Sequence, residues 1–242
     1  MKAENLTWPE FKELSKTMKT VIIPWGSMEA HGTHLPLSTD TIVANHIAEL
    51  IAEKINALIL PAIPIGYCFH AANFPGTLSF TESTLQQMAY ELAESLYMHG
   101  VRSIVFITGH GDQVGFLEKI SERMRDVLKI KVSVLYPFFT DEERVKKFNE
   151  IKTSESIYDI FHAEELETSL MLAISPDLVQ MEDAKVEYPL ISEEDLTSDF
   201  PLGDLTDYCV FGDPTVATAE KGRKFLTIMV EELLKILMHQ RT

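Results

Sequence analysis

The 242-residue sequence predicts an α/β fold in which helices cover both faces of a mostly parallel sheet. Apolar runs of strand length recur at "TVIIPW", "ALILPAIPI", "SIVFITG" and "VSVLYPF". Helical patterns lie between them, and that alternation marks a parallel sheet with crossover helices. The runs are apolar throughout rather than alternating, as strands buried on both faces should be.

Taken in order, "TVIIPW" leads through a polar loop into "TIVANHIAELIAEKI", where apolar residues recur at three and four. "ALILPAIPI" is the second strand; it contains two prolines and is far too short to span a membrane. "TESTLQQMAYELAESLYMHG" opens on a Thr suited to capping and ends at Gly100, a good residue to close a helix. "SIVFITG" precedes the helical "QVGFLEKISERMRDVL", and "VSVLYPF" is the fourth strand. "AEELETSLMLAI" and "TVATAEKGRKFLTIMVEELLKILMH" complete the helices. Residues 183–214 are acidic and turn-rich and read as a long surface excursion, a kind of loop that often carries function.

The length allows one large domain or two small ones. With 45% hydrophobic and 24% charged residues, the composition is that of a soluble globular protein able to bury a core without disulfides. The two cysteines, Cys68 and Cys209, therefore read as buried thiols. "MKAENLTWPEF" has no apolar signal-peptide region, so the expected location is the cytoplasm. The formal charge of −16 repels phosphate backbones and anionic membranes, which argues against nucleic acid or membrane partners. It does not repel metal cations.

Ligands of open α/β sheets collect beyond the carboxyl ends of the strands. "GSMEAHGTH" is such a loop, and Glu29 and His31, two apart in extended backbone, face the same way. Asp40 comes just before the next helix. The third strand ends with His110 and Asp112, again two apart, beside Gly109 and Gly111. "FHAEELETS" adds His162, Glu164, Glu165 and Glu167 at a helix start. Mixed imidazole and carboxylate donors suit zinc, with manganese or iron as alternatives, and a two-metal site needs a bridging carboxylate. Each segment also has a plain structural reading. Asp40 could be a helix cap, His110 a turn residue, and the acids of "AEELETS" partners of the helix dipole. His46, His99 and His239 lie in helical patterns and take structural or surface roles. The convergence of three segments favours a metal centre.

Five segments carry a resemblance to the creatininase (creatinine amidohydrolase) family. "PWGSMEAHGTHLPLSTDTIVA" is similar to its P-x-G-S-x-E-x-H-G-x-H-L-P-x-x-x-D signature. "NFPGTLSF" resembles its F-P-G-T segment, and "TGHGDQVG" its N-G-H-G-G-N turn. "FHAEELETSLMLAISPDLV" resembles its H-A-G-E-x-E-T-S-L-M-L helix, and "GDPTVATAEKG" its C-terminal G-D-P-x-x-A-T-x-x-K-G. The resemblance implies one domain over residues 1–242, folded as a three-layer αβα sandwich. It implies a binuclear metal centre, a homo-oligomer (a ring-like hexamer favoured), and hydrolysis of a C–N bond in a small cyclic amide or formamide. It puts Glu29 and His110 on one metal and His31 on the other, with Asp40 bridging. Glu165 is the expected last ligand, with Asp112 as the alternative. His162 matches the family's catalytic histidine, a proton shuttle for the leaving nitrogen, with Glu167 supporting it. His34, His70 and Gln113 stand as substrate contacts, and His34 and His70 are equally open to structural hydrogen bonding.

Several positions depart from the family pattern. Thr108, Asp112 and Gln113 replace Asn, Gly and Asn around His110, and Glu164 replaces the Gly of H-A-G-E. Before His162 the creatinine-pocket tryptophans are absent, and Tyr158 and Phe161 stand there instead, which argues against creatinine as substrate. Glu164 and Asp112 would make the rim acidic and disfavour a phosphorylated substrate. Two other readings remain: opening of a cyclic inositol-derived diketone by C–C hydrolysis, and a non-catalytic metal-binding protein. The presence of His162 favours an enzyme.

Overall fold

The computed structural model of the chain describes residues 1–139, 141–155, 160–192 and 201–239. Four parallel strands form one sheet: β1 (Thr20–Trp25), β2 (Leu58–Ile59), β3 (Ser103–Thr108) and β4 (Lys131–Leu135), in the order β2-β1-β3-β4. β1 pairs with β3 along its whole length, from Thr20 opposite Ser103 to Trp25 opposite Thr108, so both strands end at the same level.

In the inner strands β1 and β3 side chains alternate between two buried layers, so neither has a polar face, whereas the edge strand β4 keeps Lys131 exposed. Ile22, Val105 and Ile107 pack on one side against α2 (Thr39–Ile55), α6 (Glu165–Ile174) and α7 (Ala219–His239), through Ile47, Leu170 and Phe225 among others. Val21, Ile23, Trp25, Ile104 and Phe106 pack on the other against α3 (Glu82–Met98) and α4 (Val114–Leu128), through Leu85, Ala89, Leu117 and Met124. This is the expected α/β arrangement, a central parallel sheet with helices on both faces. Among the described residues, no helix is long and apolar enough to cross a membrane.

Helix ends follow local chemistry. Thr81 caps α3, its hydroxyl accepting from the Thr84 N–H. α6 and α7 touch through backbone: a Cβ on Gly222 of α7 would overlap the Ser169 carbonyl of α6.

Three elements differ from the sequence reading. The second strand is cut to Leu58–Ile59, because Pro61 and Pro64 have no N–H to donate to a ladder. The segment still follows β1, with the Ile63 N–H donating to the Pro24 carbonyl at 3.0 Å. Two short helices escape the periodicity test: α1 (Trp8–Leu14), opened by a Thr7–Glu10 capping box, and α5 (Glu142–Asn149), capped by Asp141. Asp40 lies inside the first turn of α2 rather than before it. Of the acidic excursion, residues 193–200 lie outside the described residues. The flanking part is tied down where Glu187 and Gly212 exchange backbone hydrogen bonds at 3.0 and 2.7 Å.

Candidate metal centre

The site lies at the carboxyl ends of β1 and β3. Gly109, just past β3, runs so close to the Asp40 backbone that any Cβ there would collide with the Asp40 carbonyl. That approach lets His110 and Asp40 meet. Thr108 fixes the turn: its hydroxyl donates to the His110 carbonyl at 2.9 Å and accepts from the His110 N–H at 3.1 Å.

Asp40 is the centre of the cluster. Its Oδ1 lies 3.0 Å from His31 Nε2, and its Oδ2 lies 3.1 Å from His110 Nδ1. The Ser27 hydroxyl donates to Oδ2 at 2.6 Å. Glu29 Oε2 is 2.9 Å from His110 Nδ1, and Glu167 Oε2 is 3.6 Å from His31 Nε2. Each imidazole is anchored from behind. His31 Nδ1 donates to the Glu29 carbonyl at 3.1 Å, and His110 Nε2 donates to the Tyr67 carbonyl at 2.9 Å. This leaves His31 Nε2 and His110 Nδ1 as the nitrogens facing the carboxylates, the orientation in which metal-ligating histidines are usually held.

His162 joins the cluster. Its ring lies 4.4 Å from that of His31, centroid to centroid, and its Nε2 donates to the Ala30 carbonyl at 2.9 Å. The turn that presents it is unusual, since Ala163 has a left-handed backbone with φ 52°. A hydrogen bond of 2.6 Å from the Ala163 N–H to Glu167 Oε2 holds that conformation.

The expected residues separate. Glu29, His31, Asp40, His110, His162 and Glu167 come together. Glu165 does not: its carboxylate accepts from the Thr153 and Ser154 N–H groups at 2.9 and 2.7 Å and pairs with Lys221 at 2.5 Å. A carboxylate with those partners is turned away from the imidazoles. Glu167, expected to support His162, holds the Ala163 turn behind it and also faces His31. Asp112 sits 3.6 Å from His110 Nε2, the nitrogen that points away from Glu29 and Asp40, and 3.6 Å from His70. His70 lines the cavity. His34 and Gln113 are buried in structural roles. His34 Nε2 is 2.8 Å from the Thr168 hydroxyl, and the Gln113 amide donates to the Gly26 carbonyl at 2.8 Å. Glu164 is not at the rim either. It caps α6 through the Leu166 N–H at 2.7 Å and forms a buried pair with Lys152 at 2.5 Å.

A cavity of about 250 Å³ opens onto the cluster. Tyr136, Phe138, Phe161 and Phe211 form aromatic parts of its wall. Tyr136 and Phe138 follow β4, where a purely strand-like reading of "VSVLYPF" hides their place in the cavity wall. Tyr158 lies outside the described residues.

The electrostatics call for cations. Glu29, Asp40, Asp112 and Glu167 line the cavity, and no lysine or arginine appears among the described lining residues. Burial opposes charge on His31, but the carboxylates of Asp40, Glu167 and Glu29 raise its pKa to about 10. His110 is likewise raised, against burial, by Glu29, Asp112 and Asp40. Burial works against the Asp40 carboxylate too, yet His31 and His110 hold it well below the ordinary range. Burial, with Asp40 nearby, pushes Glu167 up to about 8. Protons thus gather where charge is missing. Two divalent ions would balance four carboxylates with both imidazoles neutral, so the donor set fits such a pair. His162 behaves oppositely: burial and the charge on His31 lower it to about 4.

The creatinine amidohydrolase family model matches residues 4–237. A creatinine amidohydrolase of Pseudomonas putida is 30% identical, over 76% of this chain and 75% of its own. A mycofactocin precursor peptide peptidase of Mycobacterium tuberculosis is 28% identical, over 92% and 86%. A 3-dehydro-scyllo-inosose hydrolase of Thermotoga maritima is 25% identical, over 74% and 58%. Among solved structures, a creatinine amidohydrolase superposes with a TM-score of 0.85 at 27% identity, covering 99% and 97%. A manganese creatininase (TM-score 0.84) and a zinc–zinc form of a creatininase variant (0.85) match at 25% identity, covering 99% of this chain and 98% and 97% of theirs.

Proposed function

The chain belongs to the creatininase (creatinine amidohydrolase) family, and from that premise we propose that it hydrolyses a C–N bond in a small cyclic amide or formamide at a two-metal centre. Glu29 and His110 would hold one ion, His31 and Glu167 the other, and Asp40 would bridge them. The observation that carries this reading is Asp40, whose two oxygens address inner nitrogens of two different imidazoles. Zinc suits the donors best, with manganese or iron as alternatives.

When bound, such a pair supplies an acidified water and a Lewis acid for the substrate carbonyl. The chain's own groups do the rest. His162, tied through Nε2–H to Ala30, keeps its lone pair on the other nitrogen. It takes the proton of the attacking water and delivers it to the leaving nitrogen. The Tyr136 hydroxyl, kept protonated by burial, serves as a hydrogen-bond donor to the substrate carbonyl oxygen. His70 and Asp112 contact substrate at the rim. The aromatic wall, with no lysine or arginine among the described lining residues, favours an uncharged substrate over a phosphorylated one. We further infer a cytoplasmic homo-oligomer, a hexamer by family resemblance.

The relationship to the Thermotoga hydrolase supports a second reading, opening of a cyclic diketone by C–C hydrolysis. The test is elemental analysis together with a panel of lactams, formamides, short peptides and cyclic diketones. The expected result is about two ions per chain with turnover of a lactam or formamide. One ion or fewer after supplementation would overturn the binuclear reading. Two tight ions with no turnover would leave a metal-binding protein, and turnover of the diketone alone would favour the second reading.

A further inference from the structure

Cys68 is fully buried, yet it belongs to the metal cluster by distance. Its sulfur, a Glu29 carboxylate oxygen and a His110 ring nitrogen all lie within 4.8 Å of one another.

The loop that carries it is held on several sides. The Cys68 N–H donates to Ser79 Oγ at 3.0 Å, and the Gly66 carbonyl accepts from the Phe80 N–H at 3.0 Å. The Tyr67 carbonyl anchors His110 itself. Gly66 rests against the Gln113 amide so closely that a Cβ there would overlap it. A donor fixed in this way needs little rearrangement to reach an ion shared with Glu29 and His110.

Sulfur changes the chemistry of that position. Oxygen and nitrogen donors accept manganese as well as zinc, whereas a thiolate sharpens the preference for the softer zinc. Asp112, the alternative hard ligand, stands beside the outward nitrogen of His110. We propose that Cys68 ligates, through its thiolate, the ion held by Glu29 and His110, and so selects zinc over manganese at that position. This rests on the metal-centre reading above. On ligation the S–H bond breaks, the sulfur keeps the electron pair for the metal–sulfur bond, and the proton passes to solvent.

The test uses the full chain, stripped by a chelator and reloaded with cobalt(II). A cobalt–thiolate bond gives an intense near-ultraviolet charge-transfer absorption that oxygen and nitrogen ligands do not give. The expected spectrum has this absorption together with visible d–d bands. Cys68→Ser should lose the former and keep the latter, and Cys209→Ser should keep both. In competition between zinc and manganese, Cys68→Ser should shift occupancy toward manganese. Visible bands without the near-ultraviolet absorption in the unaltered chain would overturn the proposal alone, even if Cys68→Ser failed to fold. Loss of the absorption in Cys209→Ser but not Cys68→Ser would also overturn it. If the unaltered chain bound no cobalt, the metal-centre reading would fall and the proposal with it.

Discussion

The imidazoles of His31 and His162 lie 4.4 Å apart, centroid to centroid, and their proton affinities diverge, one raised to about 10 and the other lowered to about 4. Burial, together with the positive charge on His31, keeps His162 neutral, and a divalent ion on His31 would act in the same direction. A base with a lowered pKa stays active as pH falls, so the acid limb of kcat/KM assigned to His162 should lie below the ordinary histidine value near 6.5. His162→Asn should keep both metals and the fold while losing about 10²–10⁴-fold in turnover. Loss of an ion in that variant would make His162 a ligand, and unchanged turnover would remove it from the mechanism.

The ligand variants should separate by metal content. Asp40→Ala should lose the most metal, because a bridging carboxylate serves both ions. Glu167→Ala should lose one. Glu165→Ala should keep both and instead destabilise the fold by about 1–3 kcal/mol, because the N–H groups of Thr153 and Ser154 lose their acceptor. Asp112→Ala should keep both ions but turn over more slowly. Chelator competition followed by elemental analysis reads all four. An ion lost from Glu165→Ala and not from Glu167→Ala would reverse the assignment.

Metal loading should release protons. In the metal-free chain His31, His110 and Glu167 all have raised pKa values, so each carries its proton at pH 7. Ligation needs them deprotonated, so binding two ions at pH 7 should expel about three protons from these groups, and apparent affinity should rise with pH through this range. Calorimetry in buffers of different ionisation enthalpy counts them. A pH-independent affinity with no proton release would mean that these groups do not ligate.

Tyr136→Phe removes one hydroxyl and little else. If that hydroxyl meets the developing oxyanion, kcat should fall by about 10²–10³-fold with metal content unchanged. An effect on KM alone would make it a substrate-positioning contact instead.

Much of this was legible in the sequence. Strand–helix alternation specifies the sheet and its two helical layers, and the strand-end rule points to Glu29, His31, Asp40 and His110, which the fold brings together. Spacing cannot decide the rest. Glu164, Glu165 and Glu167 lie within one helical turn, so all three look available to a metal. Only their distant partners, Lys152 for the first and Lys221 for the second, reveal which carboxylates are engaged elsewhere. Gln113 and His34 looked like site residues because they sit in the right loops, but a buried amide or imidazole in such a loop can serve the backbone instead. Cys68 is a buried thiol, as its composition context suggests, but nothing in the sequence brings it near His110. Tyr136 and Phe138 were hidden because an aromatic residue at a strand end reads as core.

The contact between Gly222 and Ser169 couples the last helix to the one that carries Glu167, although no α7 side chain stands among the described lining residues. α6 carries Glu167 at one end, and its backbone rests directly on α7 at Gly222. Even a methyl group at position 222 would wedge the two helices apart, and that displacement would travel along a rigid rod to the carboxylate facing His31. A substitution scan would therefore find an intolerant site where no chemistry occurs, a tuning peg well removed from the string it tightens.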